Sequence, residues 1–215
     1  MAEPVNPKRR YESARRSAQA ADTRGAVLDA ARGLFVETGW QKTTIAAIAR
    51  AAGVSAETIY AVFGSKTALL EALVALAIRG AQPQTPLLEQ AGPRAIAAEP
   101  DQRRQLDIFA RDIAQVLSRV APLVAVVRSA AESDPQLSAL YRQLHGGRRR
   151  NLEAVAEALL ANGPLRENLD REAATGAIWR LASPELFLLL RDVDGLTTEA
   201  YADWLAATLA ATLLA

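Results

Sequence analysis

Apolar residues along this chain recur three and four apart, and nowhere do they alternate with polar ones over the length of a strand, so every predicted element is a helix. Val27, Leu28, Ala31, Leu34 and Phe35 predict a first helix over Thr23 to Thr38, ended by Gly39. Ile45, Ile48, Ala49 and Ala52 mark a second, Gly53 breaks the pattern, and Ser55 restarts it with Ile59 and Phe63 on the inner side. Leu69, Leu70, Leu73, Val74 and Ala77 then carry a helix from Lys66 to about Ala81. Gln82 to Pro100 holds Pro83, Pro86, Pro93 and Pro100 and reads as an irregular connector with at most a short helical piece. Beyond it, helices are predicted over Asp101 to Ala121 with Pro122 as the stop, Leu123 to Glu132, Asp134 to Ala161, Asp170 to about Asp192 with an interruption at Ser183-Pro184, and Thr197 to the C-terminus. That makes about nine helices, three in an N-terminal group and six after it.

The second and third helices have a physical logic of their own. Thr43 or Thr44 caps the first of the pair through its hydroxyl, Gly53 supplies the left-handed residue of a tight turn, and Ser55 caps the short helix that follows. Gly64 ends it, Ser65 caps the next helix, and Lys66 places a cation at the junction. Two short helices joined by such a turn, the second with small and polar residues outward, match a helix-turn-helix whose second member enters the major groove.

Charge agrees with that placement. The net charge of the 215-residue chain is +1, but residues 1–66 carry ten Lys or Arg against six Asp or Glu, whereas 67–215 carry fifteen against eighteen. The basic excess sits with the motif, where phosphate is to be met. Residues 1–21 form a flexible basic arm with Arg9, Arg10, Arg15 and Arg16, which can order along DNA. There is no cysteine, which excludes disulfides and thiolate metal sites, and neither an apolar leader segment nor an uninterrupted apolar run of membrane-spanning length is present. A cytoplasmic protein with no membrane partner is expected.

The run from Thr23 to Val74, TRGAVLDAARGLFVETGWQKTTIAAIARAAGVSAETIYAVFGSKTALLEALV, resembles the DNA-binding domain of the TetR (tetracycline-repressor) family of bacterial transcription regulators. Phe35, Gly39, Thr44, Ile48, Ala49, Gly53, Val54, Ile59, Tyr60, Phe63, Lys66 and Leu69 stand where that family's pattern places them. The resemblance implies an all-α chain with a helix-turn-helix domain over 22–66 and a helical ligand-binding and dimerisation domain over 67–215. It implies double-stranded DNA with a palindromic operator as partner, a second copy of the chain, and a small-molecule effector that releases DNA. By the same resemblance Thr44, Tyr60 and Lys66 bind phosphate, with Thr43 and Ser55 beside them at the helix starts.

The outward positions of the recognition helix are Ala56, Glu57, Thr58, Ala61 and Val62, where family members often carry longer polar side chains. Ala56, Ala61 and Val62 offer no hydrogen-bonding group. Glu57 either accepts from a cytosine amino group or interacts with the positive end of its own helix. Direct readout is therefore thin, and shape and the arm carry more of the specificity.

In the second domain, His145 and Arg148 interrupt the stripe of Leu137, Leu140, Tyr141, Leu144, Leu152, Val155 and Leu159. Such a break is an internal ion pair or a ligand site. Arg128 is a second interruption and Trp179 a possible aromatic wall, so Arg128, Tyr141, His145, Arg148 and Trp179 are the candidate ligand group. The leucine-rich last helices, with Trp179, Leu186, Leu190, Tyr201, Trp204, Leu205 and Leu209, are the candidate dimer face by resemblance, as against a core hidden in one chain. No cofactor is expected. The sole histidine lacks a nucleophile partner and Gly146-Gly147 lacks the lysine and hydroxyl of a phosphate loop, which argues against an enzyme. The remaining alternative is a helical interaction module with non-specific DNA binding.

Overall fold

The computed structural model describes residues 7–166 and 169–215, with side chains from residue 19 onward. Among the described residues there are ten α-helices, one 3-10 turn and no strand: α1 (Pro7–Lys42), α2 (Ile45–Ala52), α3 (Ala56–Phe63), α4 (Lys66–Arg79), η1 (Leu87–Glu89), α5 (Ala91–Ala98), α6 (Gln102–Ala131), α7 (Pro135–Asn162), α8 (Arg171–Leu181), α9 (Pro184–Asp192) and α10 (Thr198–Leu213). They divide into two compact units, one reaching Leu73 and one from Val74 to Ala215, so the division falls within α4 rather than at its start.

In the first unit α1 begins at Pro7, well upstream of Thr23, so Arg9, Arg10, Arg15 and Arg16 lie on helical backbone. Residues 1–6 of the expected arm lie outside the described residues. At Gly39 the backbone leaves the helix with φ 76°, which ends the regular part of α1 where the pattern ended it. Val27, Ala31 and Phe35 of α1, Ile45 and Ile48 of α2, Ile59 of α3 and Leu69, Leu70 and Leu73 of α4 make the core. Trp40 joins it, stacked on Phe35 with ring centroids 5.7 Å apart. Phe63, expected in the core, is only half-buried, with the Arg24 guanidinium 4.5 Å from its ring centroid.

In the second unit α6 is the central helix, packed by α5, α7, α9 and α10, while α8 packs on α7 and α10. Caps set its punctuation. Asp101, Asp134, Asp170, Ser183 and Thr197 each accept a backbone N–H from the first turn of the helix that follows. Proline is at the first helical position of α7 and α9, as the Asp134-Pro135 and Ser183-Pro184 pairs predict.

Pro122 does not end a helix. It lies inside α6, which runs unbroken from Gln102 to Ala131. Leu117, Val120, Ala121, Leu123, Val124 and Val127 on both sides of it are buried, and burying several such side chains outweighs the ~3 kcal/mol that an interior proline costs. Two expected helices are thus one, the predicted interruption at Ser183-Pro184 separates α8 from α9, and the connector contributes α5. By length and composition α6 is apolar enough to cross a membrane, but half of its most apolar window is buried inside the unit, as befits a core helix.

Candidate DNA-binding surface and ligand cavity

The axes of α2 and α3 are bent by 104°, within the range of a helix-turn-helix. Each device that makes the turn is present. Thr44 Oγ1 accepts from Ala47 N at 3.1 Å, Gly53 takes φ 67° and ψ 30°, and Ser55 Oγ accepts from Thr58 N at 3.2 Å. Gly64 closes α3 at φ 79°, its N–H donating to Tyr60 O at 2.8 Å, and Ser65 Oγ opens α4 by accepting from Ala68 N at 3.0 Å.

With Ile59 buried, α3 turns Glu57, Tyr60, Ala61 and Val62 to solvent, and Ala56 and Thr58 are half-exposed. Tyr60 is 53% exposed and Val62 43%, unusual for large side chains on an eight-residue helix and suited to a surface that receives a partner. The Glu57 carboxyl is held below the usual range by its own backbone N–H first and the Ser55 hydroxyl second. The start of α3 thus favours its charged form.

Two expected contacts are otherwise engaged. Thr43 is 1% exposed, and its hydroxyl donates towards Leu34 O at 3.0 Å and Gly39 O at 2.8 Å, with Thr38 Oγ1 at 2.9 Å. It ties α1 to the start of α2 and is not available to DNA. Lys66 is half-buried, its ammonium donating to Trp40 O at 2.6 Å and lying 4.0 Å from the indole centroid. Thr44, by contrast, is exposed beside its cap.

In the second unit, four of the five candidate ligand residues meet. Tyr141, His145, Arg148 and Trp179 line one cleft with Glu185, on α7, α8 and the start of α9. Tyr141 Oη donates to Glu185 Oε1 at 2.7 Å, and His145 Nε2 stands 3.2 Å from the same oxygen, close enough for an ion pair but off the angle of a good hydrogen bond. Arg148 donates to Ala182 O at 3.0 Å and lies 5.0 Å from the Trp179 ring centroid, and Trp179 Nε1 donates to His145 O at 3.3 Å. Burial alone would raise the Glu185 carboxyl; the approach of His145 and the bond from Tyr141 outweigh it and hold it down at about 2. Burial pulls Arg148 down to about 10, which leaves it charged at neutral pH. Arg128 is exposed and does not line the cleft. Glu185 is the carboxylate at the centre of the group, and its place after Ser183-Pro184 concealed it in the sequence.

A second cavity, of about 470 Å3 and lined mainly by aliphatic and aromatic residues, was not anticipated. Its walls include Ile78 of α4, Ile96 of α5, Phe109, Ile113 and Val116 of α6, and Val155 of α7. Asp112 is the only carboxylate among its lining residues. Gln143, Arg150 and Asn151 also line it but are exposed, whereas Asp112 is half-buried. Arg148 lines both cavities; its Nη1 donates to Ala182 O, whereas Nε and Nη2 are buried without a hydrogen-bond partner. The volume and lining suit a small organic ligand.

The expected dimer face is divided. Tyr201, Leu205 and Leu209 are buried within one chain at 1%, 0% and 0% exposure, so they are core. Tyr201 packs edge-on against Phe187 at 4.8 Å and its hydroxyl donates to Leu181 O at 3.3 Å. Trp179, Leu186, Leu190 and Trp204 are half-buried, and Leu189 and Val193, not singled out from sequence, are exposed at 53% and 72%.

Residues 27–73 match the family described as bacterial regulatory proteins, tetR family. The fold is shared with solved structures of regulators. NalD, the secondary repressor of the MexAB-OprM multidrug efflux pump in Pseudomonas aeruginosa, is 24% identical with a TM-score of 0.69, over 91% of this chain and 98% of that one. The fatty acid degradation regulator FadR from Bacillus halodurans is 19% identical with a TM-score of 0.69, over 87% and 94%. PfmR of Thermus thermophilus, a TetR family transcriptional regulator, is 22% identical with a TM-score of 0.63, over 85% and 96%. No curated protein sequence matches the chain.

Proposed function

We propose that this chain, whose residues 27–73 match the bacterial regulatory proteins of the tetR family, is a homodimeric, sequence-specific repressor released from its operator by a small molecule. The observation that carries this reading is the 104° pair α2 and α3, with Thr44 and Ser55 capping and the outer face of α3 left to solvent. A free recognition helix has no partner inside its own unit, and the major groove is the partner its dimensions fit. Tyr60 and Thr44 supply phosphate contacts from exposed positions, and the arginines of early α1 add charge to the same end of the chain. Lys66 holds the junction from within, and Thr43 belongs to the core.

Two copies place two recognition helices on a palindrome, and the half-buried and exposed apolar residues of α8 and α9 are the surface for pairing. The cavity beside α4 is the effector site. Its wall includes Ile78, and the same helix carries Leu69 and Leu73 into the first unit, so a ligand that favours one setting of α4 biases DNA binding. Repression is supported by NalD, which is a repressor.

The test is selection of bound duplexes from a random pool, at low and at near-physiological salt. An enriched palindrome is the expected result and fixes the half-site spacing. Salt-sensitive binding with no enriched sequence would overturn the operator reading in favour of non-specific phosphate binding.

A further inference from the structure

The 470 Å3 cavity has an uneven chemistry that points to the charge of what it holds. Asp112 stands on α6 between Phe109 and Val116, one helical turn from each, on a wall otherwise made by those two and Ile113. No hydrogen bond to its carboxylate is made among the described residues. Arg119, two turns on, is the cation that acts on it, and Arg119 Nε donates to Ala77 O at 3.0 Å. Burial prevails, so the carboxyl is pushed above its usual value. Gly92 of α5 is what leaves room for it, since a Cβ there would collide with the carboxylate. The arginines of the lining do not balance it. The Arg148 guanidinium makes one bond, to Ala182 O, beside Trp179, and its Nε and Nη2 are buried without a hydrogen-bond partner. Its charge acts with Glu185 of the other cleft and not with Asp112, while Arg150 is exposed to water and salt.

We propose that Asp112 is the charge-reading group of this cavity and that the effector is a cationic amphiphile, its ammonium on the Asp112 carboxylate and its apolar body along Phe109, Ile113, Val116 and Val155. The inference rests on the reading of this cavity as the effector site. A carboxylate half out of water, whose only acting cation is Arg119 two turns away and which accepts no hydrogen bond among the described residues, gains more from an arriving cation than from a neutral group of the same shape. An anion would meet Asp112 as a like charge.

The test is titration calorimetry of the full chain at pH 8, below micellar concentrations, with decyltrimethylammonium, decyldimethylamine N-oxide and decyl sulfate, three single-tailed probes that differ in head-group charge. The cation is expected to bind at least tenfold more tightly than the uncharged N-oxide, with decyl sulfate weakest. In Asp112→Asn that ratio falls to near one. Val116→Trp, which fills the cavity, abolishes binding of all three. Equal binding of cation and N-oxide that Val116→Trp still abolishes would keep the cavity and overturn the role of Asp112, as would a ratio unchanged in Asp112→Asn. Binding of none of the probes, or binding indifferent to Val116→Trp, would overturn the effector site itself and the inference with it. The wild-type ratio decides without any variant, so a misfolded substitution does not remove the test.

Discussion

Lys66 and Trp40 are joined twice: the ammonium donates to the Trp40 carbonyl at 2.6 Å and lies 4.0 Å from the centroid of the indole ring. The residue that the family pattern places at the DNA is thereby a clasp between the start of α4 and the turn after Gly39. A charge-assisted hydrogen bond and a cation over an indole together contribute about 1–3 kcal/mol at a half-buried site. Lys66→Met is expected to lower unfolding stability by that amount in a denaturant titration. The slope of log affinity against log salt stays as it was; a fall of about 0.9 would reveal a phosphate contact instead.

Glu57 is expected to act against DNA binding in general. Its own backbone N–H and the Ser55 hydroxyl hold the carboxyl below its usual range at the start of α3, and it faces solvent on the helix proposed to meet a polyanion. Glu57→Gln removes the negative charge and keeps the shape. Binding should tighten by a similar factor on every operator variant, measured across single-base changes of the selected site. Loss of preference at one base pair alone would make Glu57 a base reader.

The helix-turn-helix was legible because local rules and packing agree there: Ile48 and Ile59 point inward by period, Thr44 and Ser55 cap by chemistry, and Gly53 and Gly64 turn by backbone freedom. At Thr43 and Thr44 the pattern named two hydroxyls and only tertiary structure could say which is buried. Pro122 misled because a local rule met a long buried face on both sides of it. The leucines of α10 announced an apolar face without saying whose face covers it, and Leu205 and Leu209 are covered from within the chain. Asp112 was missed although it breaks the stripe of Leu106, Phe109, Ile113 and Val116 as His145 breaks that of α7. Its significance depends on Gly92 and Ile96, which come from a proline-rich stretch with no period to read.

Glu185 should make the second unit sensitive to acid. Its folded value of about 2 lies below the ordinary 4.5, so the stabilisation it brings is present in full above about pH 4.5 and is lost as pH falls towards 2. With its side chain 27% exposed, solvent screening reduces the effect to on the order of 1–2 kcal/mol. Denaturant titrations of wild type and Glu185→Gln should differ by that amount at pH 7, and the difference should shrink below about pH 4.5 and vanish only below about pH 2. A constant difference across the range would show that the carboxylate is not what Tyr141 and His145 hold.

Leu205 and Leu189 separate core from interface. Leu205 is fully buried in one chain, and truncating such a side chain leaves a cavity that costs 2–5 kcal/mol. Leu205→Ala is expected to lower stability by about that much at every protein concentration, because the packing it removes lies within the protomer. Leu189, on α9 and 53% exposed, gives up little of its own fold when changed. Leu189→Asp should leave the helical content of the chain as it is, yet shift the mass measured by light scattering at micromolar concentration from two chains towards one, since a charge desolvated in a pairing surface without a partner opposes association. If Leu189→Asp stays a dimer and Leu205→Ala dissociates, the pairing face is α10 and the burial of its leucines in the single chain is secondary to that contact.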